Sequence, residues 1–168
     1  LDAKGQTWPL EFTDGTVMDG TAEEHVRESA RVLSQYVDLI AIRCFPDFVD
    51  WKVEREDPLI TAFAAHATVP VINMETIVHP CQELALMLAM QSRLGDVAGK
   101  EFLLTWVPHP KPLNTAVANS ALLIASKFGM NIRMLIPDDV YRLDERYMGA
   151  AENFVAEGGG SLKVTTDV

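Results

Sequence analysis

Val69-Pro70-Val71-Ile72-Asn73-Met74-Glu75-Thr76-Ile77-Val78-His79-Pro80-Cys81-Gln82 reads as a strand, a short loop and the opening of a helix. Val69 to Asn73 is short, apolar and rich in β-branched side chains, which suits a buried strand. Pro80 fits the first helical position, where its missing N–H costs nothing, and His79 then falls at the cap. The helix runs to Leu94 and stops at Gly95. The loop between strand and helix carries Glu75 and His79. Polar side chains at a strand's C-terminal end beside a helix N-terminus make an anion-binding corner, because free N–H groups and the helix dipole both favour negative charge there. His79 and Gln82 both suit that corner. On spacing alone the plainer reading leads: His79 as a simple cap and Gln82 as a solvated first-turn residue.

The same alternation continues outward on both sides. Leu39 to Arg43, Glu101 to Trp106, Asn131 to Ile136 and Leu162 to Thr165 are further short apolar strands. Helices are expected between them. Thr21-Ala22-Glu23-Glu24 matches a capping box, and Val26, Ala30, Leu33 and Val37 follow at helical spacing. Pro58 to Ala65, Asn114 to Lys127 and Asp144 to Ala156 complete the series, with Asn114 as a cap and Gly129 as a stop. Strands alternating with helices predict an α/β fold of two parallel-sheet domains, each only partly covered by this chain. The expected division is residues 1–97, closing on a hinge helix, and residues 98–168, opening with a fresh strand. Ligands then belong in a cleft between domains.

Composition narrows the class. The chain of 168 residues is 48% hydrophobic, enough for a packed core, and has net charge -10 from 24 acidic and 14 basic residues. So acidic a chain, with its cations scattered, is repelled by nucleic-acid phosphates and anionic membranes. The apolar stretch from Ala116 to Ala125 is too short to span a bilayer and carries Asn119 and Ser120. Cys44 and Cys81 have no metal-ligand spacing and suit free thiols in a reducing cytoplasm. Leu1-Asp2-Ala3-Lys4 opens without a methionine or a signal-like block, as expected of mid-protein sequence. No G-x-G-x-x-G follows a strand, and Gly158-Gly159-Gly160 precedes a strand instead of opening a helix, which argues against a dinucleotide site.

His79-Pro80-Cys81-Gln82 resembles the H-P-x-Q signature of the aspartate and ornithine carbamoyltransferases. Ile40-Ala41-Ile42-Arg43 is similar to that family's strand ending in an arginine. Thr105 to Val117, Thr7-Trp8-Pro9-Leu10-Glu11-Phe12 and Gly15-Thr16-Val17-Met18-Asp19-Gly20 resemble its acetylornithine branch in particular. The resemblance runs essentially end to end. It implies transfer of a carbamoyl group from carbamoyl phosphate to the δ-amine of N-acetylornithine, without a cofactor or metal. Arg43, His79, Pro80, Cys81 and Gln82 would lie at the carbamoyl phosphate, with Arg43 and His79 catalytic. Cys81 holds the variable position of the signature and is no nucleophile. Glu75 and Asn114 would attend the amino-acid substrate, and Glu23 would repel a second carboxylate on the acyl group. Trp8 would reach a neighbouring active site in a homotrimer.

Each of these residues also has a plainer reading. Trp8 suits core packing, Arg43 an ion pair with Asp47 or Asp50, and Glu75 a solvated loop carboxylate. Asn114 suits a bare cap, and Glu23 a first-turn residue favourable to the helix dipole. Two family segments are expected outside the chain: a phosphate-gripping S-x-R-T-R before Leu1 and an H-C-L-P after Val168. Without them the fragment is expected to be inactive by itself. Succinylornithine or ornithine as the amine, and a truncated non-catalytic module, are the competing expectations.

Overall fold

A computed structural model describes residues 9–108 and 114–167 of the chain. The described residues fall into two compact units, one ending at Ile77 and the other beginning at Val78.

In the first unit, β1 (Leu10–Glu11) pairs in parallel with β2 (Glu24–His25), which runs directly into α1 (Val26–Leu33). The capping box expected at Thr21 is overturned here. Glu24 sits on a strand, and His25 caps the helix, its Nδ1 accepting from the Arg27 N–H at 3.1 Å. The Glu24 carboxylate instead accepts from the Ser29 hydroxyl at 2.6 Å. Pairing with Leu10 satisfies the backbone of Glu24 in a way that no local pattern announces. The helix also ends before Val37. Short i→i−3 bonds at Gln35 and Tyr36 tighten its last turn, and the Ser34 hydroxyl donates back to the Ala30 carbonyl. Val37 is left exposed.

β3 (Ile40–Arg43) and β4 (Val71–Glu75) form a parallel pair, joined by α2 (Trp51–Glu54) and α3 (Pro58–His66). Val26, Ala30, Ile40, Ile42 and Phe63 make the core of this unit. β4 lies two residues later than expected, which puts Glu75 on the strand. α2 has no apolar stripe to betray it; Asp50 and Glu54 hold it by bonding the backbone N–H groups at its start.

The second unit opens with α4 (Pro80–Leu94), as expected, closed by Gly95 at φ +70°. By its contacts this helix belongs with the elements that follow it. β5 (Glu101–Thr105), β6 (Asn131–Leu135) and β7 (Ser161–Thr165) form a parallel sheet in that order. α5 (Ala116–Lys127) joins β5 to β6, and α6 (Glu145–Gly158) joins β6 to β7. The central strand buries Ile132 and Met134 against Leu122, Ala125 and Met148. β5 ends one residue before Trp106, which packs on the same core. A crossover helix between parallel neighbours is the arrangement that twist allows.

Candidate functional site

Arg43 closes β3 and Glu75 closes β4, at the C-terminal ends of two parallel strands. The register slips between Ile42 and Arg43, so that Arg43 faces Glu75 and not Met74. The Cys44 N–H donates to the Glu75 carbonyl at 2.9 Å and holds the slipped pairing. Across it, Arg43 Nη2 meets Glu75 Oε2 at 2.8 Å. The Arg43 guanidinium also lies over the Phe45 ring, 5.0 Å from its centroid. Two residues picked out separately in the sequence are therefore partners. The arginine is half-exposed and the glutamate buried, so the solvated loop carboxylate anticipated for Glu75 is not what forms.

The backbone beyond Glu75 is anchored from below. Thr76 is fully buried, accepts from Asn73 Nδ2 at 2.7 Å and donates to the Asp57 carboxylate. Asp57 stands in the left-handed region at φ +54° ahead of Pro58, a conformation that costs about 1 kcal/mol and that short polar side chains tolerate best. Its carboxylate serves Thr76 and does not cap α3. Nothing in the spacing of Asp57 and Thr76 announces this link.

In the second unit, His79 caps α4 with Pro80 at the first helical position. The His79 carbonyl accepts from the Gln82 and Glu83 N–H groups at 3.0 and 3.1 Å, which forms the first turn. The His79 N–H donates to the Ser120 hydroxyl of α5 at 2.6 Å. Ser120 is buried. Burial raises the pKa of Glu83 above 4.5, with the Ser120 hydroxyl and the Lys127 charge opposing it. Pro80 and His79 are half-buried, while Cys81 and Gln82 are exposed. Asn114 does not itself cap α5: that position falls to Thr115, and Asn114 Oδ1 accepts from the Ala116 N–H at 3.1 Å.

Glu23 is exposed, and its N–H donates to the Pro9 carbonyl at 3.1 Å. It precedes β2 and stands outside any helix, so favour with a helix dipole does not explain it. Trp8 lies outside the described residues, as do residues 109–113 of the stretch that includes Pro112. Ser120 escaped the sequence reading of the site, although a polar residue inside the apolar run from Ala116 to Ala125 was a usable signal.

Arg43 and Glu75 thus close two strands of the first unit, and the H-P-x-Q turn opens the first helix of the second. The family model for the aspartate/ornithine carbamoyltransferase carbamoyl-P binding domain matches residues 4–92. The chain belongs to the aspartate/ornithine carbamoyltransferase family. Among carbamoyltransferases it is 60% identical over 163 residues to the N-acetylornithine carbamoyltransferase of Xanthomonas campestris pv. campestris, covering 96% of this chain and 48% of that protein. It is 32% identical over 152 residues to the N-succinylornithine carbamoyltransferase of Bacteroides fragilis, covering 90% of this chain and 47% of that one. A crystal structure of acetylornithine transcarbamylase complexed with acetylcitrulline superimposes with TM-score 0.90 at 60% identity, over 95% of this chain and 48% of that one. The chain thus spans about half the length of the curated relatives it matches. Its parallel-sheet α/β architecture is that of the carbamoyltransferase structures. No helix among the described residues is long and apolar enough to cross a membrane.

Proposed function

We propose that the intact protein transfers the carbamoyl group of carbamoyl phosphate to the δ-amine of N-acetylornithine, giving N-acetylcitrulline and phosphate. The Arg43–Glu75 pair at the ends of β3 and β4, with Glu75 four residues before His79-Pro80-Cys81-Gln82, carries this reading. The 60% identity to an N-acetylornithine carbamoyltransferase, against 32% to an N-succinylornithine enzyme, favours the acetylated amine. Residues 1–97 then act as the carbamoyl-phosphate-binding domain with its hinge helix, and residues 98–168 begin the amino-acid-binding domain. The protein works in the cytoplasm, in arginine biosynthesis, as a homotrimer in which Trp8 reaches a neighbouring active site.

In this mechanism the δ-amine attacks the carbamoyl carbon and a C–N bond forms. Negative charge gathers on the carbamoyl oxygen, where Arg43 and His79 donate. Donors fixed in advance stabilise such an oxyanion more than water does, because they need no reorganisation. Gln82 holds the carbamoyl amide, with Pro80 and Cys81 shaping the turn around it. The C–O bond to phosphate then breaks, and the departing phosphate takes the amine proton. No covalent enzyme intermediate is required. Holding both substrates together removes much of the entropic barrier. Glu75 and Asn114 orient the acetylornithine, and Glu23 disfavours a second carboxylate on its acyl group.

The test is ureido-product formation by the intact protein with carbamoyl phosphate and acetylornithine, succinylornithine or ornithine. Turnover is expected with acetylornithine, and Arg43→Ala is expected to lower kcat by about 10²–10³, the usual cost of one oxyanion donor. Turnover confined to another amine overturns the substrate assignment. Full turnover by Arg43→Ala overturns the mechanism. Silence with all three amines leaves a non-catalytic module.

A further inference from the structure

The His79-Pro80-Cys81-Gln82 turn contains a hazard for its own function. In a capping box, a Glu or Gln at the third helical position folds back onto the N–H of the cap residue. With His79 as the cap and Pro80 at the first helical position, Gln82 stands at that third position. A glutamine bonded to the His79 N–H has spent its carbonyl oxygen on the protein. In this structure the His79 N–H is already taken: it donates to Ser120 Oγ at 2.6 Å, from a serine 2% exposed on α5. The Gln82 side chain stays exposed.

We propose that Ser120 is a positioning residue that occupies the His79 N–H in place of Gln82, leaving the Gln82 amide available to a ligand at the helix N-terminus. The inference rests on the carbamoyl-phosphate reading for the identity of that ligand. Two further facts support it. A serine hydroxyl carries two lone pairs, so Ser120 accepts from the His79 N–H without giving up its own O–H as a donor. α5 buries Asn119, Ser120 and Ser126 together, which fixes the serine in place. A hydroxyl arriving from a separate, rigid helix costs less entropy on ligand binding than a side chain that must first release its own cap.

The experiment is a double-mutant cycle on the intact protein, with Ser120→Ala, Gln82→Ala and the double variant, read by calorimetric binding of carbamoyl phosphate and by steady-state kinetics. Ser120→Ala is expected to weaken carbamoyl-phosphate binding about tenfold, with kcat and the KM for the amine little changed. In the Gln82→Ala background the same substitution should cost almost nothing, because there is no glutamine left to be captured. Losses that multiply in the double variant overturn the proposal, since a merely structural role acts whatever stands at position 82. Unchanged binding by Ser120→Ala overturns it too. If Ser120→Ala does not fold, the near-isosteric Ser120→Cys, a poorer acceptor, must show the same binding-selective loss in smaller measure, and its absence counts against the proposal. Wild-type protein that binds no carbamoyl phosphate refutes the underlying functional reading. Wild-type binding with an indifferent Ser120 refutes this inference alone.

Discussion

The Arg43 guanidinium meets the Glu75 carboxylate at 2.8 Å. An arginine carries five N–H donors, so one partner does not exhaust it. Its side chain is 55% exposed against 11% for Glu75, so the buried carboxylate depends on the cation more than the reverse. Glu83 is a carboxylate on which burial acts in the opposite sense to pairing. Burial raises its pKa above 4.5, while Ser120 and Lys127 work against that shift. A carboxyl whose folded pKa is raised contributes stability that is present below its unfolded value and is lost as pH rises through the folded one. Glu83→Gln removes this titration while keeping the size and shape of the side chain. The variant's melting temperature should therefore fall less than the wild type's as pH rises from 4.5. Parallel melting curves across that range would count against the burial argument.

At the scale of elements, the sharpest constraint lies where α6 turns into β7. Gly160 has φ +86°, and a Cβ there would run into the Met130 carbonyl and approach Gly129 within 2.8 Å. Gly159, at φ +85°, faces open space. The two glycines therefore differ in role: Gly159 tolerates a side chain apart from its backbone angle, and Gly160 lets two chain segments touch. Gly160→Ala is expected to cost about 2–4 kcal/mol, adding backbone shift to left-handed strain, and Gly159→Ala about 1 kcal/mol. Urea unfolding of the two variants measures the difference. Equal midpoints would mean that the close approach to Met130 carries no weight. α1 teaches a related point. Its apolar stripe was plain, but its start was set by β2 pairing with β1, which moved the cap from Thr21 to His25.

For the molecule as a whole, the proposed substrate choice is the property that no one element holds. Glu23 stands exposed ahead of β2, outside the helix, so its charge has no evident structural task. Under the proposed function it repels a second carboxylate on the acyl group. Two unit charges about 5 Å apart repel by roughly 3 kcal/mol at an effective dielectric of 20, and solvent reduces this at an exposed site. Glu23→Ala is accordingly expected to raise the relative use of succinylornithine over acetylornithine by about tenfold, as measured by kcat/KM for each amine. An unchanged ratio removes Glu23 from the specificity assignment.

Read alone, the residues determined the alternation of strands and helices, the parallel α/β class, α4 with its Pro80 start and Gly95 stop, and the H-P-x-Q turn. These are local properties: periodicity, a fixed proline φ and a glycine at positive φ act within a few residues, so they are legible in order along the chain. Arg43, Glu75, His79 and Gln82 became candidates through the resemblance of their short motifs to those of the carbamoyltransferases, and not through periodicity or spacing. The tertiary structure decided who their partners are. The slip in register that sets Arg43 against Glu75, the Asp57 carboxylate beneath Thr76 and the Ser120 hydroxyl on the His79 N–H all join residues that are distant in sequence. Such contacts depend on how whole elements pack, and packing is chosen by the sum of many buried contacts rather than by any spacing in the chain.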